Sequence, residues 1–250
     1  MNDFSWLWDW PTHISALLPG LGVAIMLTVV SCVIGYPLGF FLAVLSESRS
    51  RWIRWTTIAV VETGRGLPAL VLLYIVYRGL PQLGVLIDAI PSAVIALTIT
   101  AAAYSAEMIR ASISALPHGQ TDAADALGLG RADRFRYIIL PQAARISIPP
   151  LVNLTITMFH ITSLASVITV AEIMHAAYLS GAINWRYMSV YLAAAFVYAV
   201  IAIPGAVMAG RLEQRLGGGK PPRRKRRALR GAGAPGPVVS PAVTREHAPA

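Results

Sequence analysis

Residues 20–45 run without a single Asp, Glu, Lys, Arg or His. At a rise of about 1.5 Å per residue, a helix over this stretch reaches across a hydrocarbon core of about 30 Å. A surface helix of a soluble protein needs a charged or polar face, and this one has no charge to offer, so lipid is the solvent it is built for. Four more apolar stretches follow, at 56–77, 92–110, 146–168 and 187–209. The chain as a whole is 56% hydrophobic and only 13% charged, with a mean hydropathy of +0.60, whereas a soluble domain carries about 25% charged residues. So few charges cannot coat a water-facing surface of this size. The expected architecture is an all-α membrane protein with five transmembrane helices.

The segments around the spans have their own signals. Residues 1–19 are expected as an external N-terminal leader. Its Trp6, Trp8 and Trp10 stand beside Asp3 and Asp9, a pattern that reads either as an interfacial aromatic belt or as a loosely packed leader. No basic n-region or small-residue cleavage site marks a signal peptide. Cys32 is the only cysteine and lies inside the first apolar run, so no internal disulfide is expected. Pro37 is expected to kink the first span unless neighbours satisfy the carbonyl it frees. Arg65-Gly66-Leu67-Pro68 is expected to break the second span locally. Residues 171–186, with Gly181 and Asn184, read as a polar connection. Residues 214–250 are expected as a disordered cytoplasmic tail, with too few large apolar side chains to offset ordering entropy. Its basic centre, Pro221-Pro222-Arg223-Arg224-Lys225-Arg226-Arg227, is expected to lie on anionic lipid headgroups. The net charge of +9 therefore points to a membrane surface and not to nucleic acid.

The distribution of Lys and Arg gives an orientation. Alternate loops hold Arg49, Arg51 and Arg54, then Arg110, Arg131, Arg134, Arg136 and Arg145, then Arg211, Arg215 and the tail; the other set holds only Arg78 and Arg186. The basic side is expected to be cytoplasmic. That puts the N-terminus outside and the C-terminus inside, a parity that five spans satisfy.

Between the third and fourth spans, residues 111–145 form a polar, charged island. A short helix is expected to start near Thr121, with Asp122 and Asp125 in its first turn where they favour the positive helix end. Ala123, Ala124, Ala126 and Leu127 are expected to form a small, smooth surface. Gly128 is expected to stop this helix, and a second helix, 131–139, to end before Pro141. Two short helices hinged at a glycine suit a docking device better than a membrane span.

This stretch resembles the cytoplasmic coupling loop of ABC-importer permeases, whose signature is Glu-Ala-Ala, three residues, Gly, nine residues, Ile, two residues, Leu-Pro. Asp122-Ala123-Ala124, Gly128, Ile138, Leu140 and Pro141 match it. Asp122 replaces the usual Glu, and only Ile139 separates Ile138 from Leu140. Arg65-Gly66-Leu67-Pro68, Ala103 to Arg110, Pro117-His118-Gly119-Gln120, Leu140-Pro141-Gln142-Ala143, Ile148-Pro149-Pro150-Leu151 and Thr162-Ser163-Leu164 look like the polar-amino-acid branch of that family. The resemblance covers roughly residues 20–213 and implies a type I ABC-importer permease fold in a bacterial inner membrane. The implied function is the passage of a small polar solute of amino-acid type. It also implies partners: a dimer of ABC ATPase subunits, a second permease subunit (the same or a related chain) and a periplasmic solute-binding protein. On this resemblance Asp122, Ala123, Ala124, Leu127, Gly128, Leu129, Leu140 and Pro141 form the ATPase-docking loop, with Leu127 and Leu129 as apolar anchors.

The residues themselves offer no catalytic constellation. The five His are scattered, none paired at metal-ligand spacing on one helix face, and no phosphate-binding glycine loop of the P-loop type is present. The chain is therefore expected to be no enzyme and to bind no cofactor or metal, with ATP used by a partner subunit. Glu62 with Arg65, and Glu107 with Arg110, each place an acid three residues before a base on one helix face. They read as a polar gate or a lattice that positions the coupling loop, or as ion pairs that snorkel at the interface. His160, Thr162 and Ser163, with Ser166, give the fourth span a hydroxyl-rich stripe near mid-membrane, where transporters place substrate sites. Tyr104 and Glu107 are further candidates for the same path. His160-Ile161 stand where the family usually has Lys-Asp. The hydroxyls read equally as helix-packing groups bonded to the preceding turn.

Two rival readings stay open on the sequence. One is a self-sufficient ion-coupled carrier or channel, although no internal repeat of the kind such carriers use is visible. The other is a membrane-anchored interaction protein acting through its basic tail.

Overall fold

A computed structural model of the chain describes residues 6–216, all of whose regular elements are helical. The basic tail expected from residue 214 lies outside the described residues, apart from its first three positions, which continue the last helix.

The first long helix, α1, is Ile14–Ser46. It is preceded by a single turn, Trp6–Asp9, and a 3-10 turn, Trp10–His13. The expected leader 1–19 is thus largely the beginning of the first rod. Pro11 sits at the start of the 3-10 turn, where its missing N–H leaves no bond unmade, and Thr12 Oγ donates to the Asp9 carbonyl at 2.6 Å. Pro19 and Pro37 both lie within α1 without ending it.

Helix α2, Arg51–Gly66, and α3, Ala69–Tyr74, replace the single span expected over 56–77. The chain breaks at Leu67-Pro68, and the rods on either side of the break are bent by 96°. Leu67 is extended, at φ −82° and ψ 128°, the conformation that a following proline enforces. Helix α3 continues into a π-turn, Ile75–Gly79, and a 3-10 turn, Leu80–Leu83.

Helix α4 is Ala89–Ser114 and α5 is His118–Ala126. Next comes one long rod: an α-turn at Arg131–Arg134, a π-turn at Phe135–Ile139, helix α6 at Leu140–Ile161 and a 3-10 segment at Thr162–Ile168. The expected stop before Pro141 does not occur. Leu140 donates its N–H to the Phe135 carbonyl, five residues back, and this wider turn opens the ladder just where Pro141 has no N–H to give. The same device stands at Ile75–Gly79, where Leu80 bonds back to Ile75 ahead of Pro81. The polar connection expected over 171–186 is also corrected: it holds an apolar helix, α7, at Ile173–Asn184. Helix α8, Tyr187–Leu216, closes the bundle.

Four of these rods are long and apolar enough to cross a membrane, and the bent α2–α3 pair makes a fifth. The most extensive contact is α1 on α4. It is made by small residues: Ser31, Gly35, Gly39 and Ala43 face Ala101, Ala102, Ser105 and Ala106. A Cβ on Gly35 would stand 2.7 Å from that of Ala101, and one on Gly39 would stand 2.7 Å from the Ala102 carbonyl oxygen. In lipid, where apolar side chains gain little by leaving their solvent, close backbone approach of this kind holds helices together. Larger side chains fill the remaining space: Leu27, Leu73, Leu97, Met158 and Ile168 in one cluster, and Leu17, Phe159, Ile173 and Val190 in another.

Candidate functional site

The polar island folds as an elbow. Helix α5 starts at His118 after Pro117, three residues earlier than the Thr121 start expected from capping. Proline fixes its own φ near the helical value, and the chain enters the helix directly from it. The other end agrees with expectation. Helix α5 stops at Ala126, and Gly128 takes φ +73°, a conformation that glycine alone adopts freely. Its N–H donates to the Asp125 carbonyl at 3.0 Å, and that of Leu129 to the Ala124 carbonyl at 3.1 Å.

Polar contacts hold the elbow. Arg134 pairs with Asp125 across the turn. Arg131 donates to the Glu47 carbonyl at 2.8 Å, tying the elbow to the end of α1. These contacts leave Leu127 78% exposed at the tip, next to exposed Asp122, Ala123 and Ala126. Two of the expected docking residues stand elsewhere. Ala124 is buried, at 1% exposed, because it is on the inward face of α5. Leu140 lines an apolar cleft of about 340 Å³ with Tyr36, Phe40, Ile113 and Leu151, since the rod continues through it and carries it away from the turn. Pro141 is exposed beside it, and Leu129 is half-buried.

The two acid–base pairs expected within α2 and α4 form one network. Arg65 Nη1 bonds Glu62 Oε1 at 3.0 Å and stands 3.8 Å from Glu107 Oε2. Glu107 in turn receives two bonds from Arg110, at 2.9 Å from Nε and 2.6 Å from Nη2, the bidentate geometry that makes Arg–carboxylate pairs specific. The Tyr104 hydroxyl donates to the Arg65 carbonyl at 3.4 Å. The broken end of α2 is thus fastened to α4 by side chains and by this one carbonyl. A cavity of about 150 Å³, lined by Ser46, Val61, Glu62, Ala106, Glu107 and Arg110, lies against the network.

The expected hydroxyl stripe divides. Thr162 is fully buried, and its Oγ donates to the Phe159 carbonyl at 2.7 Å. It faces the core of the bundle. Ser163 and Ser166 donate to the carbonyls of His160 and Ser163, both at 2.7 Å, and remain partly exposed. His160 is exposed, its ring 6.2 Å from that of Tyr198.

Sequence reasoning missed Glu172. It is fully buried and caps α7, accepting the N–H groups of Met174 and His175 at 2.9 Å each. Tyr198 of α8 donates its hydroxyl to the same carboxylate at 2.9 Å. Burial pushes the carboxyl above its usual range, against the pull of these donors. Gly20 of α1 lies against it so closely that a Cβ there would stand 2.6 Å from the Glu172 carbonyl carbon. The signal was weak: Glu is outside the usual capping set of Ser, Thr, Asp and Asn, and only its place directly before the apolar Ile-Met-His-Ala-Ala marks a helix start. The same end of the bundle is pinned by an Asp9–Arg186 ion pair and by Trp10 against Phe196, ring centroids 4.9 Å apart.

Comparison with known proteins bears on this architecture. The family profile described as "Binding-protein-dependent transport system inner membrane component" matches residues 35–218. The probable amino-acid ABC transporter permease protein YckA of Bacillus subtilis is 33% identical, over 86% of this chain and 97% of its own. The L-cystine transport system permease protein TcyB of the same organism is 38% identical, over 83% and 87%. A chain from a crystal structure of an amino acid ABC transporter with histidines superposes with a TM-score of 0.80 at 33% identity, over 86% of this chain and 99% of that one. The MetNI methionine ABC transporter in an inward facing conformation matches with a TM-score of 0.64 at 20% identity, a likeness of fold alone. With the profile covering most of the helical bundle and with relatives a third identical over nearly their whole length, the chain belongs to the inner membrane components of binding-protein-dependent transport systems, the permease subunits of ABC importers.

Proposed function

We propose that this permease carries an amino acid or a close derivative inward, and that the exposed elbow at Leu127-Gly128 is where a dimer of ABC ATPases grips it. The observation that carries the docking reading is Leu127: a large apolar side chain left bare on a turn shaped by Arg134, Asp125 and Arg131. An exposed leucine with small neighbours can bury its apolar surface in a cleft on a soluble partner. The solute class rests on relatives named for amino acids and cystine. In this reading the elbow is cytoplasmic and the N-terminus periplasmic, in keeping with the Arg-rich loops on the elbow's side. A second permease subunit completes the path, a periplasmic binding protein delivers the solute, and the chain itself binds no nucleotide.

The mechanism follows from what the elbow touches. A pull on α5 passes through Arg131 to the end of α1, and through the continuous rod into α6. Opening of the path then requires the Glu62–Arg65–Glu107–Arg110 network to rearrange, because it fastens the bent α2 to α4. His160 at the end of α6 and Ser163 in the 3-10 segment after it remain the candidate path groups.

The test is uptake of radiolabelled amino acids by proteoliposomes holding the chain with its partner subunits. Leu127→Asp is expected to abolish ATP-driven uptake and ATPase co-purification while leaving insertion and thermal stability unchanged. ATPase binding and uptake unaffected by that change would overturn the docking role. Uptake by the chain alone, driven by an ion gradient, would favour a self-sufficient carrier instead.

A further inference from the structure

At the end of the bundle away from the elbow, the 3-10 segment after α6, with α7 and α8, forms an open cavity of about 280 Å³ lined by Ser166, Val167, Met174, His175, Tyr178 and Tyr191. We infer that this cavity is an outer subsite for an organic ammonium group, formed by the aromatic wall of Tyr178 and Tyr191 and the hydroxyl of Ser166.

Three features select that chemistry. The first is the wall. Tyr178 and Tyr191 are joined through Tyr187, with ring centroids 6.4 Å and 6.0 Å apart along the series. Tyr178 is 55% exposed and Tyr191 37%, so ring surface is open to the cavity, and aromatic faces attract ammonium groups through their quadrupoles. The second is the polarity of the hydroxyl. Ser166 has already given its proton to the Ser163 carbonyl, so what its oxygen offers the cavity is lone pairs, which accept from an N–H donor. The third is the charge balance. No Lys or Arg lines the cavity, and His175 is the one basic side chain on its wall. The helix start beside it, which would otherwise present positive N–H groups, is covered by Glu172, whose carboxyl oxygens accept from Met174 and His175.

The position adds a role. Ser163 stands one 3-10 turn before Ser166, on the same face, and His160 one turn before that. The cavity is therefore the outer end of the partly exposed polar strip on α6. As a subsite on a solute's way to that strip, the assignment rests on the import reading; as a binding site for ammonium it does not.

The test needs neither ATPase nor transport. The full chain is placed in lipid nanodiscs and saturation transfer is read on the methyl protons of choline. The control is choline's tert-butyl isostere, in which carbon replaces the charged nitrogen. Choline is expected to give the stronger signal, which falls about three-fold or more in Tyr178→Ala and Tyr191→Ala and persists in Tyr178→Phe, which keeps the ring face. Equal signals from both probes, or a choline signal indifferent to both alanine variants in protein that remains monodisperse, would overturn the site. Discs of phosphatidylglycerol and of phosphatidylethanolamine separate two sources of the ammonium. Persistence of the choline signal in both assigns the cavity to a solute; loss only in the amine-bearing lipid assigns it to a lipid headgroup. Failure of uptake with choline binding intact would count against the import reading and leave the subsite standing.

Discussion

Two elbows join the spans of this protein, and they are built on opposite principles. The turn between α4 and α6 is held by an Arg134–Asp125 pair whose carboxylate is exposed and by an Arg131 bond to a carbonyl at the surface, and it leaves Leu127 uncovered. The turn between α6 and α8 is held by a carboxylate with no exposure at all, satisfied by two backbone N–H groups and a tyrosine, with the backbone of Gly20 packed against it. Exposed ion pairs contribute little and exchange easily, whereas a buried polar group binds its surroundings strongly because leaving it unpaired is costly. On the proposed function, the first elbow is expected to be the contact that moves and the second the clasp that stays fixed.

The comparison breaks most readily at the clasp. Glu172→Ala strips partners from the Met174 and His175 N–H groups and the Tyr198 hydroxyl, and is expected to destabilise the bundle by about 2–4 kcal/mol. Thermal unfolding in detergent is the measurement, and an unchanged midpoint would mean the cap is idle. Gly20→Val drives a side chain into the Glu172 backbone, which has no rotamer to yield, and is expected to cost about 1–3 kcal/mol. At the exposed elbow the stability effects shrink. Gly128→Val is expected to cost about 1–2 kcal/mol through its positive φ alone, since a Cβ there meets nothing within 4 Å; its effect on ATPase binding is expected to be far larger than its effect on stability. Arg134→Ala is expected to cost about 0.2–1 kcal/mol after solvent screening. Unfolding midpoints and ATPase co-purification, measured on the same set of variants, sharpen the contrast: stability follows the clasp variants and partner binding follows the elbow variants.

The local features were legible in the sequence. The five apolar stretches, the break at Arg65-Gly66-Leu67-Pro68 and the stop at Gly128 each depend on residues within a turn or two, where hydrophobicity, proline geometry and glycine's access to positive φ act directly. Errors arose where a local rule met a neighbour from elsewhere in the chain or an altered turn. Pro141 did not end its helix because a π-turn absorbed it. Residues 171–186 read as a polar connection on Gly181 and Asn184, when they hold a helix whose start is capped by Glu172, buried against Gly20 and Tyr198.

The sequence by itself decided that this chain lives in lipid, roughly where it crosses, and where its elbow turns, because charge-free length and backbone stereochemistry are properties of contiguous residues. Only the tertiary structure decided which polar groups meet. It joined Arg65 to Glu107, paired Asp9 with Arg186, sent Thr162 and Ala124 inward and left Leu127 bare. Those outcomes depend on which segments, distant in the chain, come together and on how closely they pack, as α1 packs on α4 and α7. That distance is set by the absence of side chains at Gly20, Gly35 and Gly39, and no reading of one segment alone contains it.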